Sequence, residues 1–228
     1  MDERKVLLEV ARRLRARFGP LREGPGGDPL DLLVRTILSQ NTSDRNRDRA
    51  YTALRRRFPT WEEVLVAPEE EVAEAIQGAG LHRQRAARLK AVLRRLRDER
   101  GTLSLDFLDD RPDEGAAAWL LSLPGVGKKT AYVVLLFGFD RPFFPVDTHI
   151  ARASRRLGLI QGNEDPHDTL SPLVPTGEER DLHLHLIRLG REVCRARRPR
   201  CPDCPLLTLC PYSQELHVQS MGDRKETR

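Results

Sequence analysis

Apolar residues recur along this chain at three- and four-residue steps, the spacing that lays one apolar stripe along a helix. Val6, Leu7, Val10 and Leu14 make such a stripe near the N-terminus, so that segment reads as an amphipathic helix of the fold and neither a signal nor a transit peptide. The same spacing predicts helices over 31–38 and 45–57. Thr60 with Glu63 three residues later spells a capping box, and a short helix follows. Pro68 and the acids Glu69 to Glu71 open another, with Pro at its first position, and Gly78 and Gly80 stop it. An Arg-rich helix over 82–100 ends at Gly101, and Asp113 is the expected cap of the helix carrying 119–121. Residues 130–139 are apolar on nearly all faces, which predicts a buried central helix. Asp147 precedes a helix over 148–157, and 180–193 forms the last long one. No segment carries the period of a strand, and no repeat is visible. The fold class is all-α.

Two breaks in this pattern, the Gly-Pro-Gly-Gly of 24–27 and the Pro-rich turn near 141–145, predict two helical lobes. One is expected over 23–135. The other joins 1–22 to 136–212, and 213–228 reads as a flexible polar tail. A groove between lobes is a common place for a site.

Composition narrows the partners. With 228 residues the chain can bury a real core. Its net charge of +5 and pI near 9.3 favour a polyanion. Aromatics are 5%, too few for a surface that reads single strands by stacking. No apolar run approaches a membrane span, so no membrane partner is expected. The chain reads as cytosolic, with its thiols reduced by default.

Candidate chemistry concentrates between 123 and 149. Leu-Pro-Gly-Val-Gly at 123–127 reads as a tight turn between helices. Gly125 and Gly127 can take positive φ and place no Cβ between backbone and ligand. The amides of Gly125, Val126, Gly127 and Lys128 then stand at a helix start, a ready phosphate site. Only five of the 39 basic residues are Lys, at 5, 90, 128, 129 and 225; the other 34 are Arg. A chain that uses Arg almost everywhere has placed two adjacent lysines in this turn. Lys can lose its proton and act as a nucleophile, and the positive end of a helix disfavours an ammonium. The plainer alternative is that both lysines only neutralise phosphate. Val-Asp-Thr-His at 146–149 adds a carboxylate, Asp147, which also suits a helix N-cap.

All four cysteines fall at 194, 201, 204 and 210. Four thiols so close in sequence suit one zinc ion or one iron–sulfur cluster. Zinc more often shows two short Cys-x2-Cys pairs, and only Cys201 and Cys204 stand that close, so the spacing leans towards a cluster without removing zinc. A disulfide reading fits poorly with a reducing compartment. Arg197 and Arg198 lie in the basic loop between the first two cysteines, which is built either to grip a phosphate backbone or to sit in solvent.

The glycine turn, Val-Asp-Thr-His and the cysteine pattern together resemble the helix-hairpin-helix DNA glycosylases, specifically the endonuclease III family, from about Asp31 to Cys210. The resemblance implies two helical lobes with a helix-hairpin-helix motif, a C-terminal iron–sulfur loop, and duplex DNA carrying damaged bases or abasic sites as partner. It implies a [4Fe-4S] cluster on Cys194, Cys201, Cys204 and Cys210. It makes Lys129, directly before the Thr of the hairpin, the nucleophile and Asp147 the catalytic carboxylate. The activity implied is a bifunctional glycosylase and abasic-site lyase removing oxidised pyrimidines in base excision repair, in a monomer of the bacterial cytoplasm and nucleoid.

The segment 39–44 (Ser-Gln-Asn-Thr-Ser-Asp) resembles the family's loop that fills the hole left by a flipped base. Gln40 or Asn41 would plug that hole and Leu81 would wedge from the other side; the family more often has Gln where Asn41 stands. Asp44 is an expected cap of the next helix, and His149 either contacts the lesion or completes its helix start. His183 and His185, two apart, point differently and do not read as a metal pair. Monofunctional mismatch glycosylases replace the lysine by Ser or Tyr, so Lys129 argues against them. A non-catalytic DNA-binding paralogue would keep the hairpin and cluster as architecture alone.

Overall fold

A computed structural model describes residues 2–20 and 27–214. Among these the chain is helical, without a strand. Residues 21–26 and 215–228 lie outside the described residues, and with them most of the linker at 24–27 and most of the tail expected from 213. The chain divides into two compact units, residues 25–141 and residues 1–24 with 142–228.

The unit 25–141 opens with α2 (Pro29–Ser39), α1 being the N-terminal helix of the other unit. The Asp28 carboxylate accepts from the Asp31 amide at 2.9 Å and Pro29 fills the first turn. α3 (Asp44–Arg57) is capped by the Ser43 hydroxyl, which accepts from Asn46 N at 3.3 Å. The expected cap Asp44 is instead the first helical residue, where its charge still suits the positive end. α4 (Trp61–Val66) carries the predicted capping box, with Thr60 and Glu63 bonded reciprocally at 3.1 and 3.2 Å. α5 (Glu69–Ala75) starts one residue after Pro68, which is its N-cap and not its first residue. A 3-10 turn (Gln77–Ala79) leads to α6 (His82–Arg100), and Gly101 at φ 74° ends that helix. α7 (Asp113–Leu121) takes Pro112 as its N-cap, so Asp113 lies one position inside the helix and makes no cap bond. α8 (Lys128–Gly138) packs against α2 and α7. Its residues Ala131 and Val133 to Phe137 are buried, as its all-round apolar sequence predicts. Each such large side chain contributes roughly 1.5–3 kcal/mol by leaving water.

The second unit holds α1 (Glu3–Phe18), α9 (Thr148–Arg156), α10 (Pro166–Leu170) and α11 (Glu179–Glu192). α11 packs on both α1 and α9, around a core that includes Leu7, Leu14, Phe144, Ile150, Leu182 and Leu186. At Gly190 of α11 an added Cβ would stand 2.6 Å from the Cβ of His149. Only glycine lets α9 lie there. Among the described residues no helix is long and apolar enough to cross a membrane.

Candidate functional site

The hairpin α7–turn–α8 is built around one left-handed glycine. Gly125 sits at φ 76°, where a side chain would be disfavoured and its Cβ would collide with Arg88. Gly127 differs from the expectation. It is the N-cap of α8 at φ −97° and ψ 177°, an extended conformation open to any residue. What it keeps clear is space: a Cβ there would meet nothing within 4 Å. No side chain caps the start of α8, and Val126 is buried beneath the turn as its hydrophobic anchor. Lys128 and Lys129 occupy the first turn, both half-buried, followed by buried Thr130. An uncapped helix start with two lysines favours an anion by dipole and by charge.

A second group of residues is tied to this hairpin. Gln40 Nε2 donates to the Gly125 carbonyl at 3.1 Å, and Gln40 Oε1 accepts from Arg88 Nη1 at 2.9 Å. The Gln40 side chain is therefore spent inward, whereas its neighbour Asn41 is exposed with φ 52°. Leu81, the expected wedge, is 59% exposed and left-handed at φ 48°. Arg85 of α6, 1% exposed, donates to the carbonyls of Ala79, Gly80 and Gln40. Burial, with the neighbouring Arg88, pushes its guanidinium below its ordinary pKa. Arg85 and Arg88 were not singled out by sequence reasoning. The available signal was position, since Arg85 falls on the apolar stripe of α6 with Leu89, Val92 and Leu96.

In the other unit Asp147 is the N-cap of α9, and one carboxylate oxygen accepts from His149 N at 2.9 Å and Ile150 N at 2.8 Å. Two amide donors fix the carboxylate as acceptor. His183 Nδ1 pairs with the Pro145 carbonyl at 2.8 Å, which anchors the strand of chain leading into Asp147. His185 Nε2 pairs with the Gly19 carbonyl at 3.1 Å, so the two histidines serve separate contacts. His149 is half-buried, its ring 3.2 Å from Arg152 Nη2, which also donates to Gly190 O at 2.9 Å.

All four cysteines line one small pocket of about 30 Å³, together with Arg156, Val193, Leu207 and Tyr212. Short 3-10 turns at Cys201–Asp203 and Leu207–Leu209 bend the chain so that each thiol returns to it. Burial pushes the Cys204 thiol up to about 11, and it raises Cys201 and Cys210 as well. No carboxylate lines the pocket, and its four sulfur donors suit a soft metal centre. Among the described residues no three His, Cys, Asp or Glu side chains are gathered as a cage for one metal ion. Arg156, another residue missed in the sequence, donates to Cys194 Sγ at 3.2 Å and to the carbonyls of Arg195 at 2.8 Å and Ala196 at 3.2 Å. It pins the basic loop from behind, leaving Arg197 and Arg198 exposed.

The family model for the HhH-GPD superfamily base excision DNA repair protein matches residues 34–174. Endonuclease III of Thermotoga maritima is 34% identical over 223 residues, covering 97% of this chain and 100% of that protein. A trapped endonuclease III–DNA covalent intermediate superposes with a TM-score of 0.81 at 28% identity, covering 94% of this chain and 98% of that one. A thermostable thymine-DNA glycosylase gives a TM-score of 0.76 at 25% identity, covering 93% and 97%. The chain belongs to the HhH-GPD superfamily of base excision DNA repair proteins and, within it, to the endonuclease III family of DNA glycosylases and abasic-site lyases.

Proposed function

We propose that this chain excises oxidised pyrimidines from duplex DNA and cuts the strand at the resulting abasic site, with Lys129 as nucleophile and Asp147 as the catalytic carboxylate. The observation that carries the reading is Lys129 itself: an amine in the first turn of an uncapped helix, two residues after the glycine turn. The hairpin amides and Lys128 hold the DNA backbone by charge and hydrogen bonds. The lesion leaves the stack, which costs least where pairing is already weak. As the bond from the base to the anomeric carbon breaks, positive charge builds on the sugar and Asp147 stabilises it. The Lys129 amine attacks that carbon, the base departs with the bonding pair, and ring opening gives a protonated imine. The imine acidifies the adjacent sugar carbon. Loss of its proton expels the 3′ phosphate by β-elimination, and water then frees Lys129.

The cysteine loop fits a [4Fe-4S] cluster in having four thiols and no carboxylate about one pocket. Cys194, Cys201, Cys204 and Cys210 would hold it, and bound it would crosslink the loop that displays Arg197 and Arg198 to phosphate. A second reading, a monofunctional thymine-mismatch glycosylase, has the structural likeness to a thymine-DNA glycosylase in its favour. Lys at 129 weighs against it.

The discriminating experiment offers duplexes containing thymine glycol opposite adenine, or thymine opposite guanine. Release of thymine glycol with a strand break is expected. Release of thymine from the mispair with the strand left intact would overturn the proposal.

A further inference from the structure

Four non-glycine residues in the described chain have positive φ, and two of them, Asn41 and Leu81, flank the same guanidinium. The peptide entering Asn41 carries the Gln40 carbonyl. The peptide entering Leu81 carries the Gly80 carbonyl. Arg85 donates to both, Nη2 to Gln40 and Nη1 to Gly80, and Nη1 also reaches Ala79. One buried side chain thus fixes the two peptide planes that lead into both left-handed residues. Left-handed backbone at Asn and Leu persists only where its surroundings over-determine it.

The electrostatics explain why a buried guanidinium is tolerated here. Gln40 is the C-cap of α2, and Ala79 ends the 3-10 turn Gln77–Ala79. Two carbonyl-rich, negative helix ends converge on Arg85, replacing the water it has lost. The planar fork of Arg spans two loops at once, which a single ammonium does not do. Arg88, one turn along α6, extends the tie to the hairpin through Gln40 and Gly125.

We propose that Arg85 is a positioning residue that presets the spacing of the Asn41 and Leu81 loops, so that Asn41 plugs the emptied base position and Leu81 wedges beside it without prior rearrangement. Gln40 is then a strut between loop and hairpin. Preorganised loops save the ordering cost at the moment of insertion. The inference rests on the glycosylase reading above and assigns the base-extrusion step of that reaction.

The test separates base release, which needs extrusion, from cleavage at a preformed abasic site, which has no base to extrude. Single-turnover rates are measured for Arg85→Ala, Arg85→Gln and Arg85→Lys on both duplexes. Fluorescence of 2-aminopurine placed opposite the lesion reports the plug. Lys90→Met is the stability control, because Lys90 is also buried in α6 but its ammonium bonds the Leu65 and Ala67 carbonyls, away from the loops. The expected result for Arg85→Ala is a loss of base release on the order of tenfold to a hundredfold, with abasic cleavage changed less than about threefold. Arg85→Gln and Arg85→Lys should fall between it and wild type, with the 2-aminopurine signal reduced in step, while Lys90→Met keeps the wild-type ratio of the two rates. If Arg85→Ala does not fold, the Gln and Lys variants decide by the same ratio. Equal loss of both activities, an unchanged ratio, or a shift equalled by Lys90→Met would overturn the proposal. Wild-type protein inactive on both duplexes would instead sink the enzymatic reading, and this inference with it.

Discussion

Replacing each glycine of the hairpin by alanine tests the architecture of the phosphate turn, because the structure assigns the two glycines different reasons to be glycine. At Gly125 an alanine must hold φ 76°, and its Cβ would lie 2.6 Å from both Cδ and Nε of Arg88. Left-handed backbone costs a residue with a Cβ about 1–2 kcal/mol. Arg88 must also swing away, which breaks its bond to Gln40, worth about 0.5–1.5 kcal/mol net. Alanine returns about 0.4–1 kcal/mol through the unfolded chain. The balance is near 2 kcal/mol, or roughly 4–8 °C in melting temperature for a chain of this size. At Gly127 the backbone is ordinary and a Cβ meets open space, so only the poorer capping by Ala counts, about 0.5–1 kcal/mol. That open space is where a phosphate would approach, so Gly127→Ala is expected to weaken binding to an abasic-analogue duplex roughly tenfold, about 1.4 kcal/mol. Thermal unfolding and fluorescence anisotropy read the two effects separately. A Gly125→Ala protein that melts like wild type, or a Gly127→Ala protein that binds DNA like wild type, would refute the reasoning.

Asp147→Asn should slow base release about a hundredfold or more while costing under about 1 kcal/mol of stability, since Asn caps as well as Asp; a wild-type single-turnover rate would reduce Asp147 to a cap. Replacing Arg197 and Arg198 together should flatten the slope of log binding constant against log salt by about 1.8, and an unaltered slope would return that loop to solvent. Burial holds the Cys204 thiol protonated, up to about 11, and raises Cys201 and Cys210, so cluster assembly must displace protons. Reconstitution with iron and sulfide, followed by iron content, should therefore be more complete at pH 8.5 than at pH 7; the opposite order would contradict an all-thiolate site.

The parts of this protein that sequence reveals are those whose cause is local. The capping box at Thr60 and Glu63 lies within four residues, and the buried course of α8 follows from an unbroken apolar run. Local signals fail where two neighbours compete for one role: Ser43 caps α3 although Asp44 is an equally good cap, and Pro112 displaces Asp113. The five-residue α10 is too short to show a period. The tie at Arg85 hides for another reason. A guanidinium on the inner stripe of an Arg-rich helix looks like one more surface charge, and its partner Gln40 lies 45 residues away. The same holds for Lys90, whose ammonium closes the end of α4 from a buried position. The catalytic candidates were legible because they sit in a short motif; the residues that hold the loops around them are fixed only by tertiary contact.

Borohydride trapping asks directly whether Lys129 is the nucleophile. Wild-type protein and Lys129→Gln are incubated with a duplex bearing one thymine glycol and with an abasic duplex, reduced, and the crosslinked peptide is sequenced by mass spectrometry. A covalent protein–DNA adduct is expected on both duplexes, carried on Lys129 and lost in Lys129→Gln, with DNA binding retained. An adduct that survives Lys129→Gln, or none from the wild-type protein on the abasic duplex, would contradict that role for Lys129.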